Sequence, residues 1–579
     1  MNDIRRTILW VIFGFAMVML WDQWQVSNGK KATFFPGPVS QTIAPKADGK
    51  LPADASVPAA VVGQDALPAQ VPVASTASPA TPKERFEVTT DVLKLTLDTE
   101  GGSLVRAELL KYADAEDKSK NFVLLDDSKD RIYMAQSGIV AGSTGGAFPT
   151  HKTVMVASGA HSLADGQNEL VVSFTSPDVG GIKLVKTYTL RRGAYDIAVK
   201  HELINTSAAA QSAQLYLQLV RDGNKPPGGS SFYSTYTGPA VYTEAKKFEK
   251  VDFSDIKKHK ADFEKSSTNG YVAMVQHYFA SAWILPDGMQ RNLSMDAVDI
   301  GAPLADCCYR ATMVAPLETL APGASKTVEA KLFIGPQEEK MLEALTPGLE
   351  LLKDYGRLTI LSKPLYWLLD KLHSFIQNWG WSIVALVLLL KIAFYWLNAK
   401  AYSSMAKMKA INPKIMEMRE RLKDKPQQMQ QEMMRIYREE KVNPMGGCFP
   451  IVIQIPVFIA LYSVLLATVE MRGAPWILWI HDLSAPDTSL GHIFSMPIGI
   501  LPIVMLLTTL LQTSLNPAPP DPMQAKMMWI MPMAFSVMFF FFPAGLVMYW
   551  ITNNVLSIAQ QWVINTRMGV PPKFNLPKF

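Results

Sequence analysis

Long apolar runs in the last third of the chain restrict its fold more than any other feature of the sequence. The runs cover residues 379–399, 448–469, 492–515 and 527–564. The first three are each close to the roughly 20 residues that a membrane-spanning helix needs. The last is too long for one span and contains Pro543-Ala544-Gly545, a sequence typical of a tight turn. We divide it into 527–543 and 545–564, so that residues 446–567 hold four predicted spans after the one at 379–399.

A further apolar segment, 7–21, lies near the start of the chain and follows Arg5 and Arg6. No small-residue cleavage pattern comes after it, so residues 1–25 are predicted to be a cytoplasmic N-terminus and an uncleaved signal anchor. The arginines hold the N-terminus in the cytoplasm and send the residues after the anchor outside. The chain therefore has six predicted spans.

The distribution of charge gives an independent orientation. Segment 400–445 carries eleven basic and six acidic residues, whereas loop 471–491 carries one arginine and two aspartates. The positive-inside rule places the first in the cytoplasm and the second in the periplasm. Six spans from a cytoplasmic N-terminus agree with this, and they place loop 516–526 and the short tail 568–579 in the cytoplasm.

The residues after the anchor change in character at about position 85. Residues 26–84 are rich in Pro, Ala, Val, Ser and Gln without periodicity, which predicts a flexible tether. Beyond them, apolar and polar residues alternate, as in 92–97, 184–190 and 214–219. Because such runs are typical of antiparallel strands, we expect residues 85–345 to form one large exported β sandwich.

The exported domain contains five histidines, so acid–base chemistry is available in principle. It lacks a nucleophile elbow, the ligand spacing of a zinc site and a glycine-rich phosphate loop. We expect the histidines to be hydrogen-bonded in the core or exposed to solvent, and we predict no catalytic residues, no metal and no cofactor. The net charge of +5 is too mild to indicate nucleic-acid binding.

Residues 346–378 connect the sandwich to the second span and include an amphipathic stretch. Its apolar side chains recur at the spacing of one helical face: Leu365, Leu368, Leu369, Leu372, Phe375 and Ile376. Pro364 suits the first position of such a helix. We expect the helix to lie on the outer membrane surface, because it directly precedes Trp379 at the membrane interface. The alternative is a core helix that closes the sandwich.

Lys391 interrupts the second span, 379–399, near the middle of the bilayer. A charge there costs on the order of 3 kcal/mol on insertion scales, and the other C-terminal spans contain no Asp or Glu that could neutralise it. The lysine side chain could extend toward the cytoplasm, but it is long enough for only part of the distance from the middle of the bilayer to the cytoplasmic surface. A water-filled cavity open to the cytoplasm would remove the cost. Lys391 is therefore the leading candidate functional residue.

Other polar or aromatic side chains of the spans could line the same cavity. They are Gln454, Gln512, Tyr549, Trp550, Asn553, Asn554 and Gln560. For any one of the amides, a hydrogen bond between helices is the simpler role. Together with a lysine that has no counter-ion, they indicate a hydrophilic pocket inside a helical bundle.

Segment 400–445 is predicted to form a cytoplasmic hairpin of two helices. Asn412-Pro413 is a start signal for the first helix and Lys425-Pro426 for the second, which Asn443-Pro444 ends. Its methionines supply flexible apolar surface of the kind that tolerates varied partners. The alternative is that they pack the two helices against each other.

Several stretches of this region resemble the YidC family. They are NWGWSI (378–383), AYSSMAKMKAINPKIMEMRERL (401–422), KVNPMGGCFPIVIQIPVFIALY (441–462), APWILWIHDLSAPD (474–487), DPMQAKMM (521–528) and FPAGLVMYWITNNVLSIAQQ (542–561). The anchor, tether and exported domain suit the Gram-negative form of that family. The predicted fold is thus an α-helical polytopic bundle of six spans with a large periplasmic antiparallel β-super-sandwich, similar to galactose mutarotases.

The resemblance implies a membrane protein insertase and chaperone of the bacterial inner membrane. Its partners would be nascent membrane proteins, the Sec translocon, the lipid bilayer and, weakly, the ribosome through the cytoplasmic loops and tail. Insertion would need no nucleotide, metal or other cofactor, would involve no enzymatic reaction, and would largely dispense with the exported domain.

The resemblance also assigns roles to residues. Clients would enter a groove, open to cytoplasm and lipid, that is formed by Lys391, Gln454, Gln512, Tyr549, Trp550 and Asn553. The hairpin would receive them through Met408, Met416, Arg419, Arg421, Met433 and Met434. The family's groove cation is usually arginine, whereas this chain has Lys391, and Trp396 stands where a proline is common.

Two other functions compete with this interpretation. A polytopic transporter or channel would predict internal repeats or paired broken helices, and the C-terminal spans show no convincing repeat. A membrane-tethered sugar-active enzyme would not need five further spans or a buried lysine.

Overall fold

The computed structural model describes residues 56–59, 83–142, 147–226, 235–301, 304, 307–423, 425–440, 449–493, 496–516, 522–569 and 574. The predicted signal anchor and most of the predicted tether lie outside these residues. The described part consists of a β sandwich followed by a helical region.

The β sandwich has two nine-stranded sheets, and the alternating sequence runs form its strands. In spatial order, the first sheet consists of β1 (Arg85–Thr89), β2 (Leu93–Asp98), β3 (Ser103–Ala113), β4 (Asn121–Asp127), β5 (Ile132–Ala141), β10 (Ala213–Arg221), β17 (Tyr309–Pro316), β16 (Arg291–Ala297) and β13 (Ser266–Ser267). The second consists of β12 (Lys247–Lys250), β11 (Gly238–Thr243), β14 (Tyr271–Gln276), β15 (Phe279–Ile284), β18 (Ser325–Pro336), β9 (Asp196–Asn205), β8 (Ile182–Arg191), β7 (Glu169–Thr175) and β6 (Val156–Gly159). Neighbouring strands pair antiparallel, so the predicted large antiparallel sandwich is confirmed.

The core of the sandwich lies between the two sheets. β8 alternates between buried and half-buried positions along its length, as expected for a strand with one face in the core. β10 differs, because every one of its residues is buried, including Gln214 and Gln218 on the face opposite to Leu215 and Leu217. The outer face of this strand is therefore covered.

Three buried ionisable side chains of the sandwich are held by hydrogen bonds. Lys186 Nζ donates to the carbonyls of Gly101 and Ser137, each at 2.6 Å, and burial lowers its pKa to about 7. His201 Nε2 lies 2.9 Å from Ser137 Oγ, and His151 Nδ1 lies 2.7 Å from the Tyr216 hydroxyl. Burial lowers the pKa of each histidine to about 3. These two histidines are hydrogen-bonded core residues, as predicted.

The helices follow the sandwich along the chain, except for α1, which lies within it. They are α1 (Phe253–Lys257), α2 (Glu339–Leu345), α3 (Thr359–Ile376), α4 (Trp379–Ala393), α5 (Tyr395–Arg421), α6 (Pro426–Glu439), α7 (Phe449–Ala467), α8 (Ile500–Leu515), α9 (Pro522–Met538) and α10 (Ala544–Arg567). Short 3-10 turns cover Leu349–Leu352, Gly356–Leu358, Val469–Met471 and Phe539–Phe541, and a small hairpin pairs β19 (His492–Ile493) with β20 (Met496–Pro497). A second apolar core joins α3, α4, α7, α8 and α10 through residues such as Leu369, Leu386, Leu461, Met505 and Val547.

Within the described residues, no helix is by itself both long enough and apolar enough to cross a bilayer. α4 and the first part of α5, up to Met408, meet that standard together, but they are bent by 68° at Phe394. Shorter apolar helical segments cover Ile455–Ala467, Ile500–Leu515 and Ala525–Phe541. The number of spans stays a prediction.

Two predicted helix starts are wrong. Pro364 lies inside α3, which begins at Thr359, and Pro413 lies inside α5, which continues without interruption from Tyr395. The Asn-Pro signal is outweighed by packing, because Ile411, Ile415 and Met418 recur on one face and form the core of the hairpin with α6. The predicted starts at Pro426 and after Pro543 are confirmed.

The sandwich contacts the helical region around the turn that follows α7. Arg472 Nη2 donates to the Ala113 carbonyl at 2.6 Å, and its guanidinium lies 5.0 Å from the Phe122 ring. Lys118 pairs with Asp482 at 3.3 Å. The side chain of Val469, which follows α7, is fully buried in the core of the sandwich.

A buried ion pair ties the same turn to the chain that leaves the sandwich. The ammonium of Lys353, whose side chain is 0% exposed, lies 3.2 Å from both carboxylate oxygens of Glu470. The Tyr366 hydroxyl of α3 donates to Glu470 at 2.6 Å. α3 thus packs on the helical region rather than closing the sandwich, while its Trp367 and Phe375 are exposed.

Candidate functional site

Lys391 lies in the last turn of α4 and is only partly exposed. Its Nζ donates to the hydroxyl of Ser557 on α10 at 2.6 Å, and that hydroxyl donates to the Asn553 carbonyl one turn earlier at 2.7 Å. Helices α4 and α10 therefore meet at Ser557, and Asn553 lies one turn before this serine on α10.

The bend at Phe394 changes the surroundings of Lys391. A continuous span would place the lysine in mid-helix, but α4 ends at Ala393, two residues after it. The carbonyl end of a helix carries partial negative charge, which favours a cation in the last turn by about 0.3–1 kcal/mol. In the part of the chain that the structure describes, no carboxylate lies within ion-pairing distance of Lys391.

A second polar contact, between α5 and α10, lies about one turn further along α10. Asn398 Nδ2 of α5 lies 3.4 Å from Gln560 Oε1. The Nε2 atom of Gln560 is buried and has no hydrogen-bond partner among the described residues. Lys391, Asn398, Asn553, Ser557 and Gln560 form a strip between α4, α5 and α10 that we call the polar seam.

The predicted aromatic residues lie beside the seam. Tyr549 is buried, with its ring 6.0 Å from the Phe458 ring of α7. The Trp550 ring lies 4.8 Å from Phe458 and 5.1 Å from Phe539. Because positions i, i+3 and i+7 share a helical face, Trp550, Asn553 and Ser557 lie on one side of α10.

The remaining predicted groove residues are not joined to the seam by a contact that the structure describes. Gln512 is half-buried on α8. Gln454 belongs to α7, but its side chain lies outside the described residues.

A separate set of hydrogen bonds joins α8 to α10. Asn554 Nδ2 lies 2.9 Å from Thr509 Oγ1 and 3.3 Å from Thr508 Oγ1. Gln561 Nε2 lies 3.3 Å from Asn516 Oδ1. These contacts hold two helices together, which is the simpler role expected for such amides.

Of the residues predicted to receive clients, some pack in the core of the hairpin and others are exposed on its surface. Met408 and Met433 pack in its core, whereas Met416 and Met434 are exposed. Arg421 is exposed and lies 3.9 Å from Glu432 of the other helix, and Arg419 is half-buried.

Helices α4, α8, α9 and α10 expose many large apolar side chains. These side chains are each 41% exposed or more: Leu388, Leu389, Ile392, Leu507, Leu511, Ile530, Met531, Val537, Val555, Trp562 and Val563. So many exposed large apolar side chains are unusual for a protein surrounded by water and mark contact with lipid or with an apolar partner.

Comparison with known proteins finds family matches for both the sandwich and the helical region. Residues 85–368 match the family described as the YidC periplasmic domain, and residues 371–570 match the one described as the 60Kd inner membrane protein. A protein of Cupriavidus metallidurans named membrane protein insertase YidC is 53% identical over 98% of both chains. The protein of that name from Ralstonia nicotianae is 52% identical over 99% of both. The chain belongs to the YidC family.

A crystal structure of an active YidC insertase with its first transmembrane domain resolved aligns with 83% of this chain and 92% of its own length, at 18% identity and a TM-score of 0.37. YidC membership does not favour the transporter or channel alternative.

In this YidC chain the helix bends by 68° at Phe394 although position 396 is tryptophan, so the bend does not depend on a proline there.

Ser557 and Asn398 were missed by the sequence analysis. Ser557 lies four residues after Asn553, so the helical spacing places both on the face that bears Trp550. That spacing was the available signal.

Proposed function

We propose that this chain is a membrane protein insertase and chaperone that accepts hydrophobic clients along the polar seam and releases them sideways into lipid. The proposal is supported by the names of its relatives. One structural observation carries the mechanism: Lys391, at the end of an apolar helix, is bound by a neutral serine hydroxyl and, among the described residues, by no carboxylate.

The seam lowers the free-energy barrier that the polar part of a client meets when it crosses the membrane. A client segment bound for the periplasm exchanges hydrogen bonds with Asn553, Ser557 and Gln560, and Lys391 attracts its acidic residues over a short range. The client's apolar helix then enters the lipid, at roughly 25 cal/mol per Å² of apolar area removed from water. That partition drives insertion, so no nucleotide is needed.

The membrane topology is part of the proposal. We place six spans in a Gram-negative inner membrane, with both termini in the cytoplasm and the β sandwich in the periplasm. The charge of segment 400–445 and the exposed apolar side chains of α4, α8, α9 and α10 support it. In a cysteine-free background, a cysteine at Ser119 should react with an impermeant reagent added outside, and one at Lys407 should not.

The partners are also part of the proposal. The hairpin of α5 and α6 receives nascent membrane proteins on its exposed Met416 and Met434 and beside Arg419 and Arg421. The seam works alone or beside the Sec translocon, and the ribosome makes weak contact through the cytoplasmic loops and tail.

The charge of Lys391 gives the decisive test. In a strain depleted of its own insertase, Lys391→Arg should support growth and client insertion, because it keeps the cation. Lys391→Glu should reduce the insertion rate by at least about tenfold, since attraction of the client becomes repulsion.

Lys331→Glu is the matched control, because it makes the same change of charge at an exposed position of β18 and should leave insertion unchanged. Full complementation by Lys391→Glu, at wild-type protein levels, would show that the charge has no role.

A further inference from the structure

Four residues of the predicted tether, Ser56 to Ala59, lie on the outer face of the first sheet. Ser56 and Pro58 are buried, Val57 is half-buried and Ala59 is exposed. The composition of residues 26–84 predicts no ordered contact, so burial of this short piece requires a surface that binds it.

The sandwich binds the main chain of Ser56. Its carbonyl accepts hydrogen bonds from Arg310 Nη1 at 2.9 Å and from Gln218 Nε2 at 3.4 Å. Both donors are held in place, because Arg310 Nη2 lies 3.3 Å from Asp296 and Gln218 Nε2 lies 2.8 Å from Gln136 Oε1. A buried guanidinium that meets a carbonyl supplies a charge-assisted hydrogen bond.

The side chain of Val57 enters an apolar pocket made by three neighbouring strands. It packs against Val140 of β5, Tyr216 of β10 and Val314 of β17. Tyr216 is directly opposite Val314 in the sheet, and its hydroxyl is fixed by His151. A main-chain contact beside a side-chain pocket is the usual way that a protein recognises an extended segment.

Burial of the outer face supports this interpretation. Gln218 and Thr312 are 0% exposed, although they lie on the face that points away from the core of the sandwich. An outer face of an antiparallel sheet is normally solvated. Here the face carries glutamines and is covered, and the tether segment supplies part of the cover.

We propose that Arg310, Gln218, Val140, Tyr216 and Val314 form a docking site, the tether site, for the segment Ser56-Val57-Pro58. Docking shortens the connection between the predicted first span and the sandwich from residues 22–84 to residues 22–55. Because the segment belongs to the same chain, its effective concentration is about millimolar, so even weak binding keeps the site occupied.

Photo-crosslinking in the full-length, membrane-embedded protein tests the proposal. A photoreactive residue replaces the exposed Ala59, and adducts are mapped by mass spectrometry. The expected adducts lie in β5, β10 and β17. The matched control carries the photoreactive residue at Val73, which follows Val71-Pro72 as Ala59 follows Val57-Pro58. It should give less than about a tenth of these adducts.

A second variant separates docking from folding of the sandwich. Val57→Asp changes only the tether and should reduce the Ala59 adducts by about tenfold, because a carboxylate does not enter an apolar pocket. Val71→Asp should have no effect. Equal yields from Ala59 and Val73 at the same strands, or an unchanged yield in Val57→Asp, would overturn the proposal.

Discussion

At the scale of single residues, the hydroxyl of Ser557 forms two hydrogen bonds that act together. It accepts from Lys391 and donates to the Asn553 carbonyl, so it fixes the direction in which the ammonium points. A cation with a neutral partner keeps its full charge for a client, whereas a carboxylate partner would cancel it.

Ser557→Ala should therefore slow insertion by roughly tenfold, which is the order expected for one hydrogen bond to a charged group. Ser557→Thr keeps the hydroxyl and should restore the rate. The measurement is client insertion into proteoliposomes. In Lys391→Met/Ser557→Ala the two effects should not add, because both changes remove the same interaction. Additive losses would mean that Ser557 acts apart from the lysine.

The buried histidines and lysine predict how the stability of the sandwich depends on pH. His201 and His151 have pKa values of about 3 in the fold against 6.5 when unfolded, so below pH 6.5 the unfolded chain binds more protons and stability falls as the pH drops toward 3. Lys186 has a pKa of about 7 against 10.5, so stability rises with pH between these values.

Urea unfolding of the detergent-solubilised chain, followed through the buried Trp283, measures this dependence. Each histidine contributes a slope of up to about 1.4 kcal/mol per pH unit. His201→Gln should reduce the slope between pH 5 and 6.5 by about a third, because His151 remains and so does His277, whose pKa burial lowers to about 4. A slope that does not change would indicate that His201 is protonated in the fold.

At the scale of elements, the hairpin of α5 and α6 depends on one apolar face. Ile415 is 1% exposed in its core, whereas the neighbouring Met416 is 52% exposed. Substitutions at these two positions therefore distinguish a structural role of the hairpin from a role in contacting clients.

Ile415→Asp should open the hairpin, because burying a carboxylate there costs several kcal/mol. Hydrogen exchange over residues 401–440 should then become faster. Met416→Asp should leave the exchange unchanged and lower only client crosslinking to the hairpin. Slow exchange in Ile415→Asp would show that the helices are held together by other contacts.

Elements with a strong local signal could be predicted from the sequence. Alternation gave the strands of the sandwich, and Pro426 and Pro543 mark real helix starts. Pro413 does not mark a helix start. Ile411, Ile415 and Met418, on either side of it, pack against the other helix of the hairpin, and such tertiary packing cannot be predicted from the local sequence. The bend at Phe394 also lacks a local cause such as proline or glycine. Ser557 was missed for a related reason, since its partner lies 166 residues away in the chain.

At the scale of the whole molecule, the sandwich and the helices are joined by a buried charge pair. Lys353 and Glu470 lie between the chain that leaves the sandwich and the turn after α7. Removal of one partner from a buried pair leaves the other charge uncompensated.

Lys353→Met should therefore destabilise the protein by about 3–5 kcal/mol, and Lys353→Met/Glu470→Gln should recover much of the loss. Lys340→Ala, which removes an exposed pair with Asp370, should cost less than about 1 kcal/mol. Thermal unfolding in detergent measures all three. Equal losses from Lys353→Met and Lys340→Ala would mean that water reaches Glu470.

The turn after α7 also limits where the chain can be shortened. Val469 completes the core of the sandwich, Arg472 is bound by the Ala113 carbonyl, and the carbonyls of Leu483 and Ala485 accept from the first amides of α10. A truncated chain that starts after residue 345 would expose Val469 to water and leave Arg472 without that acceptor. The smallest piece that folds as it does here is thus larger than the smallest piece that contains the seam.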